Sequence, residues 1–377
     1  MESVVVPVPQ SSTVVIGTAA LLLTVAVAWW HQKLLGKNRI PSKWRRVGEV
    51  SQMTIYPLKS GRGVDLDEAW CTELGLRSLG DETTVLLDRY EYTLRRTLCA
   101  LTKRKPRSWT FLVFGSEDRK YMTAARFPKM LLITITPESD DSVTFRAPGM
   151  PDLTYKIPEP AEQNLKTSTC IVWWSEKVRT LDCGEKAASW FSKYILGNDS
   201  GARLGYYLQQ DPAFRRDISK VRLNAFQEHY KKLGDRDVGA YTYLSGFMLL
   251  SESSIEDLKS RLPERLNNLS HRRFRGNFMA RGTVPYEEDN WDWVRVGEQA
   301  VFRTVKPCTR CTIINVDPET AARDPQLEPL RTLRSYRMVT KPGARDVEGV
   351  DPIMGVYLGL RIPGLVKDGD PIYVGYD

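Results

Sequence analysis

The segment KPCTRCTIINVDPE, residues 306 to 319, places a cysteine beside an arginine in a turn-prone stretch that runs into apolar residues. Cys311 is its most informative residue. A thiolate is favoured next to Arg310, because a nearby cation stabilises the charged form of the sulfur. Such a soft thiolate suits a transition metal far better than calcium or magnesium. The segment therefore points to a functional thiol at Cys311.

Two other readings of the same cysteines are a zinc half-site and a redox Cys-x-x-Cys pair with Cys308. Zinc would need two more ligands. The remaining cysteines form no second Cys-x-x-Cys, and the chain has only three histidines. From spacing alone, a functional thiol and an ordinary paired or buried cysteine are about equally consistent with the pattern.

Length and composition describe a globular chain with room for two domains. The 377 residues are 42% hydrophobic and 27% charged, and six cysteines form no dense framework, which favours a reducing compartment. The net charge is +8, but no aromatic-basic motif for nucleic acid appears. We therefore expect no nucleic-acid partner, and the charge favours an anionic membrane surface or an acidic protein.

Residues 14–30 carry no charge and end in Trp29 and Trp30. At ~1.5 Å per residue they would span about 25 Å as a helix, just enough for a thin bilayer. The basic residues follow this run, so the positive-inside rule places the large C-terminal part in the cytosol. A cleaved signal peptide is the alternative, but the basic region that normally precedes one is missing. The pattern predicts an uncleaved transmembrane helix with a basic tether.

Beyond the tether, the sequence predicts a β-dominated α+β fold. Strand-like runs lie at residues 53–56, 109–114, 130–135 and 246–250, separated by turn residues. We expect one helix from Cys183 to Gly197, capped by Asp182, and another begun by a Ser253–Glu256 capping box. Residues 90–108 are crowded with Arg and Lys and are interpreted as a solvated excursion. No Gly-x-Gly-x-x-Gly or Walker loop is present.

Two further segments have the chemistry of anion sites. Tyr56–Gly63 combines Lys59, the hydroxyl of Ser60 and two glycines on a turn, which suits a phosphate. Phe274–Phe278 offers Arg275 and Asn277, which can bind a phosphate or the edge of a heterocycle. An exposed basic turn and a cation at a sheet edge are the simpler explanations.

Together, these motifs resemble the MOSC proteins. YPLKS (56–60), GLR (75–77), DCGE (182–185), LSE (250–252), FRGN (274–277), RCT (310–312), VDP (316–318) and the Gly-Asp-Pro ending occur in the family's order over roughly residues 50 to 377. With the N-terminal anchor, the nearest resemblance is to the mitochondrial amidoxime-reducing components. It implies an anchor and tether (1–47), a β-rich MOSC N-terminal domain (48–200) and a barrel-like MOSC domain (201–377).

The resemblance also implies a molybdenum cofactor (Mo-molybdopterin). Cys311 matches the family's catalytic thiolate ligand to molybdenum, and Lys59 and Ser60 match positions that hold the pterin phosphate region. Five more positions match further cofactor contacts: Ser245, Arg275, Asn277, Arg310 and Tyr357. The family's remaining arginine is best matched by Arg89, with Arg107 as the alternative, because the excursion separates Arg89 from the following strand.

The implied function is reduction of N-hydroxylated compounds, such as amidoximes and hydroxylamines, at the cytosolic face of the outer mitochondrial membrane. Electrons would arrive from NADH through NADH-cytochrome b5 reductase and cytochrome b5. Two rivals stay open at this point. One is a protein that binds the cofactor or carries sulfur on the same cysteine without its own turnover, and the other is a membrane-tethered adaptor without cofactor.

Overall fold

The structure is a computed structural model. It describes residues 39–78, 109–139, 141–158, 165–209 and 211–376. The expected anchor at 14–30, the tether before residue 39, the excursion at 90–108, Arg89 and Arg107 lie outside the described residues. Within the described ranges, no helix is both long enough and apolar enough to cross a membrane.

Strands dominate the described part of the chain. In chain order they are β1 (Arg45–Ile55), β2 (Val64–Leu66), β3 (Glu68–Thr72), β4 (Gly75–Ser78), β5 (Phe111–Gly115), β6 (Thr134–Ser139), β7 (Ser142–Arg146), β8 (Leu153–Lys156), β9 (Thr167–Ile171), β10 (Lys177–Asp182), β11 (Ala202–Tyr206), β12 (Phe247–Ser251), β13 (Phe278–Arg281), β14 (Trp293–Val296), β15 (Ala300–Thr309), β16 (Ile353–Ile362), β17 (Leu365–Lys367) and β18 (Pro371–Gly375). The α-helices are α1 (Gly184–Leu196), α2 (Lys220–His229), α3 (Glu252–Arg261), α4 (Leu330–Tyr336) and α5 (Arg345–Glu348).

Seven strands close into a barrel in the order β13-β12-β16-β15-β14-β18-β1, and β1 pairs back to β13. Closure removes the open sheet edges, and only the short β2 extends the sheet beyond β1. The barrel is filled by alternate side chains of its strands. At its centre the rings of Phe247, Phe278 and Phe302 lie 5.0 to 6.1 Å apart.

A second layer is built from the sheet β5-β11-β10-β9 and the sheet β6-β7-β8. Helix α1 packs on it through Ala187, Phe191 and Ile195, which recur at helical spacing and are all buried. The aromatic core between these elements includes Phe111, Phe145 and Phe191, whose neighbouring rings meet edge to face at 5.2 and 5.3 Å. This layer supplies one wall of the region around Cys311.

The outer face of the barrel along β12, β16 and β15 is covered by α2, α3 and α4. Its buried side chains form one cluster that includes Met248, Leu250, Val305, Cys308 and Tyr357. After β15, Ile313 packs against both this cluster and the core of the second layer, so the residues that follow Thr309 lie between the two.

The β-dominated α+β prediction is confirmed, and the barrel with it. The strands expected at 53–56, 109–114 and 246–250 correspond to parts of β1, β5 and β12. The helix expected after Asp182 ends as expected at Gly197, which adopts the left-handed conformation with φ of 78°. The helix begins at Gly184, one residue later than expected, and Cys183 occupies the N-cap position without a side-chain capping bond. Asp182 still contributes, since its carboxylate accepts a hydrogen bond from the Gly184 amide at 3.0 Å.

Two local predictions are wrong. Residues Pro128–Leu132 form a 3-10 helix, not the first part of a strand, because Pro128 favours a helical start and Met130 and Leu131 are buried by a single turn. The helix expected to begin at Ser253 starts at Glu252, and no side chain caps it. The Ser253 hydroxyl instead contacts those of Ser251 and Thr283.

The domain boundary at residue 200 stays a prediction. Two strands pair with strands on the other side of this boundary. β1 joins the barrel made mostly of later strands, with Arg45 opposite Val374. β11 lies after residue 200 but pairs with β5 and β10 of the second layer.

Candidate active site around Cys311

Cys311 lies where the chain leaves β15 and enters a 3-10 helix at Thr312–Asn315. Its backbone is extended, with φ of −94°. Among the free cysteines of the described ranges, Cys311 is exposed, whereas Cys71, Cys170 and Cys308 are buried. A thiol in this position is accessible to a ligand.

The Val-Asp-Pro turn after Cys311 is held mainly by Asp317. One carboxylate oxygen accepts hydrogen bonds from the amides of Glu319 and Thr320 at 2.9 and 3.1 Å. The other accepts a charged hydrogen bond from Arg273 at 2.8 Å. This turn fixes the direction of the chain after the thiol, which explains why the motif needs an aspartate there.

The Lys59 turn follows the end of β1 and is anchored to the second layer, since the Lys59 amide donates to Phe111 O at 2.8 Å. Ser60 is buried and adopts a left-handed backbone, with φ of 69°. A Cβ atom at Gly61 would lie only 2.8 Å from Leu58 Cβ. The predicted need for glycine in this turn is therefore a packing requirement at position 61.

The Lys59 ammonium is the most perturbed cation near the thiol. Burial, followed by repulsion from Arg275, lowers the pKa of Lys59 from 10.5 to about 7, and the Cys311 charge opposes this shift. The ammonium lies 4.5 Å from the centre of the Trp173 ring. Among the described residues, no carboxylate pairs with it. A desolvated cation without a counter-ion is the environment in which an anionic ligand is bound strongly.

Arg275, in the segment before β13, contacts the Lys59 turn. It has a left-handed backbone, with φ of 55°, and its guanidinium donates to Gly61 O at 2.6 Å. The guanidinium lies 4.0 Å from the centre of the Tyr56 ring. Burial lowers the pKa of Arg275 and raises that of Tyr56 to about 12.

A narrow crevice opens beside this pair. It is lined by Tyr56, Arg62, Gly63, Leu131, Arg272, Arg275, Pro318 and Glu319. Two ion pairs flank it, Arg62 with Glu319 and Arg272 with Asp65. Arg275 is the cation of this crevice that has no carboxylate partner among the described residues.

Arg310 is turned into the core. Its guanidinium donates to the carbonyl oxygens of Met354 and Phe274, both at 2.8 Å. It therefore ties β16 to the FRGN segment. The neighbouring Cys308 is buried, and its thiol donates to Thr309 O at 3.7 Å. Burial raises the pKa of the Tyr357 phenol well above its usual value.

Ser245 and Asn277 lie in the barrel wall. The Ser245 hydroxyl donates to Leu358 O and accepts from the Phe247 amide at 3.2 Å. The side-chain Nδ2 of Asn277 donates to Thr54 O at 3.1 Å, and its Oδ1 accepts from the backbone amide of Met248 at 3.0 Å. Both side chains already join neighbouring strands, and their cofactor contacts stay predictions.

Sequence reasoning missed an aromatic wall between the thiol and the second layer. Trp173 contacts Tyr121 at 4.8 Å and Tyr243 at 5.8 Å between ring centres. The guanidinium of Arg216 lies 5.2 Å from the same Trp173 ring and is paired with buried Glu176 at 2.8 Å. The Cys311 charge contributes to the raised pKa of Tyr121, which is about 12 and is due mainly to burial. The consecutive tryptophans at 173 and 174 were the available signal.

The structure thus places Arg275 and Cys311 close enough to Lys59 to influence its pKa. Ser60 and Arg310 lie in the adjoining turns. Ser245, Asn277 and Tyr357 lie in or on the barrel wall behind these residues. Within the described ranges, no group of three or more His, Cys, Asp or Glu side chains could hold a metal ion.

Comparison with known proteins assigns this architecture. Residues 47–198 match the MOSC N-terminal beta barrel domain, and residues 241–373 match the MOSC domain. Mouse mitochondrial amidoxime-reducing component 1 is 34% identical, with 95% of this chain and 90% of the relative covered. The bovine component 2 is 32% identical over 91% and 87%. The human component 1 is 33% identical over 95% and 93%.

The chain belongs to the MOSC family, among the amidoxime-reducing components. The resemblance found in the sequence is confirmed.

In this MOSC protein, both matched segments contribute to the candidate site. Lys59 and Trp173 come from the N-terminal match, whereas Arg275 and Cys311 come from the C-terminal one. Arg216, which contacts Trp173, lies between the two matches. The site therefore depends on how the barrel and the second layer pack together.

Proposed function

We propose that this chain is a membrane-anchored, molybdenum-dependent reductase of N-hydroxylated compounds. One observation carries the proposal: the accessible Cys311 thiol shares its surroundings with Lys59, a desolvated cation that pairs with no carboxylate in the described part of the chain. A thiolate beside unpaired cations matches a metal carried by an anionic organic group. The names of the relatives, amidoxime-reducing components, supply the substrate class.

The donor set fits Mo-molybdopterin. Cys311 would be the thiolate ligand to the metal, and Lys59, Ser60 and Arg275 would hold the phosphate of the pterin. Arg310, Asn277, Ser245 and Tyr357 would complete the binding region from the barrel side, and Arg89 stays a prediction outside the described residues. When bound, the cofactor supplies two-electron redox chemistry.

The chain's own contribution is binding and positioning. An anion beside Lys59 would hold the proton of its ammonium, because opposite charge favours the charged form. Trp173 keeps that ammonium in place through a ring contact at 4.5 Å. The partly buried Tyr121 and Trp173 side chains would limit the access of water to one side of the site, which strengthens the electrostatic contacts there.

We further propose that electrons come from NADH through NADH-cytochrome b5 reductase and cytochrome b5. The net charge of +8 would favour an acidic electron donor, so turnover should fall as salt rises. The relatives are mitochondrial by name. Together with the apolar run at 14–30, this supports a single-pass anchor in the outer mitochondrial membrane, with the barrel in the cytosol.

The test uses the full-length protein from a host that makes the cofactor, reconstituted with the two electron donors. Cys311→Ser should lose both bound molybdenum, measured by elemental analysis, and reduction of benzamidoxime. Cys183→Ser is the matched control, since that thiol is partly buried and belongs to a different segment, at the start of α1. Retained molybdenum and activity in Cys311→Ser would refute the proposal. A wild-type protein that binds molybdenum but reduces no N-hydroxy compound would favour the cofactor-binding or sulfur-carrier alternative.

A further inference from the structure

Three exposed apolar side chains lie at the end of the barrel where the described chain begins. Ile40, Val284 and Tyr376 are 37%, 65% and 51% exposed. They come from three separate parts of the sequence: the segment before β1, the loop after β13 and the residue after β18. Exposed apolar side chains that gather on one surface mark an interaction site more often than scattered ones do.

A chain of contacts shows that these residues share one surface. Pro41, next to Ile40, packs so closely on Gly375 that a Cβ atom there would lie 2.7 Å from Pro41 Cγ. Arg45 on β1 lies opposite Val374 on β18, two residues before Tyr376. Glu287, followed by Tyr376, raises the pKa of Arg45. The Arg45–Glu287 ion pair is 2.8 Å long.

The Glu287 carboxylate completes the chain by accepting from the Val284 amide at 3.5 Å. We call the surface formed by Arg39, Ile40, Lys43, Arg45, Val284 and Tyr376 the barrel-end patch.

The charge of the barrel-end patch is positive. Arg39 and Lys43 are exposed and pair with no carboxylate in the described ranges. Arg45 is balanced by Glu287, so these two uncompensated cations set the sign of the patch. A mixture of exposed apolar side chains and free basic groups is the composition that binds an anionic lipid surface.

We propose that the barrel-end patch docks on the headgroups of an anionic bilayer. The inference rests on the proposed anchor, because the apolar run at 14–30 brings the chain to the membrane. Eight residues, 31–38, separate that run from the patch. Even fully extended they reach at most about 30 Å, so the patch is held close to the lipid whatever path the tether takes.

Docking of this end would also orient the site. β1 begins at Arg45 in the patch and ends at Ile55, four residues before Lys59. A strand of 11 residues spans about 35 Å, somewhat less where it bends. With the patch on the lipid, the strand would hold the Lys59 turn well away from the bilayer, beyond the ~8 Å screening length of physiological salt. A soluble electron donor could then approach Cys311 without repulsion from the headgroups.

The experiment uses the full-length protein, one copy per nanodisc, with discs of phosphatidylcholine alone or with phosphatidylserine. An environment-sensitive fluorescent amino acid replaces Val284 in one sample. It replaces Val221 in the control, because Val221 is 81% exposed on α2, outside the patch. We expect a blue shift for the probe at 284 in anionic discs that salt reverses, and none at 221.

Arg39→Gln with Lys43→Gln should lower the ratio of docked to undocked protein by ~25-fold, or about fivefold per basic group. These exposed substitutions should leave the melting temperature unchanged. Equal spectra at 284 and 221 in both lipids would overturn the proposal. So would a shift at 284 that follows the number of copies per disc, since that indicates a second copy as the partner. Loss of the anchor itself is a separate result, read from failure of the unlabelled chain to float with vesicles after a carbonate wash.

Discussion

The buried ion pair behind Cys311 should be one of the most sensitive positions of the fold. The side chains of Lys306 and Glu348 are both 0% exposed, and the ammonium lies 2.8 Å from Glu348 Oε1. The ammonium also donates a hydrogen bond to Pro307 O at 2.9 Å. The other oxygen, Oε2, accepts from the Thr309 hydroxyl at 3.1 Å. Glu348 thereby links α5 to the end of β15, two residues before Cys311.

Glu348→Gln removes the negative charge but keeps an acceptor for Thr309. The variant leaves the Lys306 ammonium uncompensated among the rings of Phe226, Tyr230 and Tyr357, each within 5.5 Å. Breaking a buried pair in this way costs about 3–5 kcal/mol. With a urea m-value of about 3 kcal/mol/M, the unfolding midpoint should fall by roughly 1–1.7 M.

The matched control is Asp351→Asn, which breaks an exposed pair with Arg334 at 3.2 Å and should cost at most about 0.5 kcal/mol. The double variant Lys306→Met/Glu348→Leu should regain most of the loss, because an apolar pair of similar volume replaces both charges. About 1 kcal/mol would remain for the unpaired Thr309 hydroxyl. Equal midpoints for Glu348→Gln and Asp351→Asn would refute the reasoning.

Three further variants test other parts of the structure. Burial raises the pKa of the Glu288 carboxyl from 4.5 to about 7, so folding stability should fall as pH rises from 5 to 8. Glu288→Gln should remove up to roughly 3 kcal/mol of that loss in urea titrations, and an unchanged pH slope would contradict the shift. Lys59→Met should lower bound molybdenum without lowering the unfolding midpoint, because the Lys59 charge is desolvated; full metal content would contradict this. Asp182 accepts two hydrogen bonds from Arg203 at 2.8 and 2.9 Å. Asp182→Asn removes the charge and one of the two acceptors and should cost about 2 kcal/mol in calorimetry, whereas exposed Glu185→Gln should cost under ~0.5 kcal/mol.

Local chemistry in the sequence was sufficient to locate much of the candidate site. The requirement for glycine at position 61 and aspartate at position 317 follows from turns a few residues long, and short turns leave a readable signature. The exposure of Cys311 agrees with the functional thiol, although Arg310 contributes through core hydrogen bonds and not at the thiol surface. The sequence shows that the two residues are adjacent, but not which way a guanidinium turns.

What sequence reasoning missed depends on contacts between distant parts of the chain. Trp173 lies in a tight turn whose next two residues have positive φ, and it meets Lys59 and Arg216 only because two layers pack together. The run from Met130 to Leu132 is apolar enough for a strand, yet Pro128 and the core beneath it select a single turn of 3-10 helix. Apolar content alone cannot separate these outcomes in so short a segment.

The barrel shows why the site cannot be assigned to one matched segment. β1 pairs with the last strand, β18, on one side and with β13 on the other, so the ring closes only when the beginning and end of the described chain meet. The Lys59 turn continues directly from β1, whereas the thiol follows β15. Closure of the barrel therefore sets the position of Lys59 relative to Cys311. Because the tether also enters the fold at β1, one strand connects the proposed membrane contact to the proposed anion site, and a change in its register would displace both.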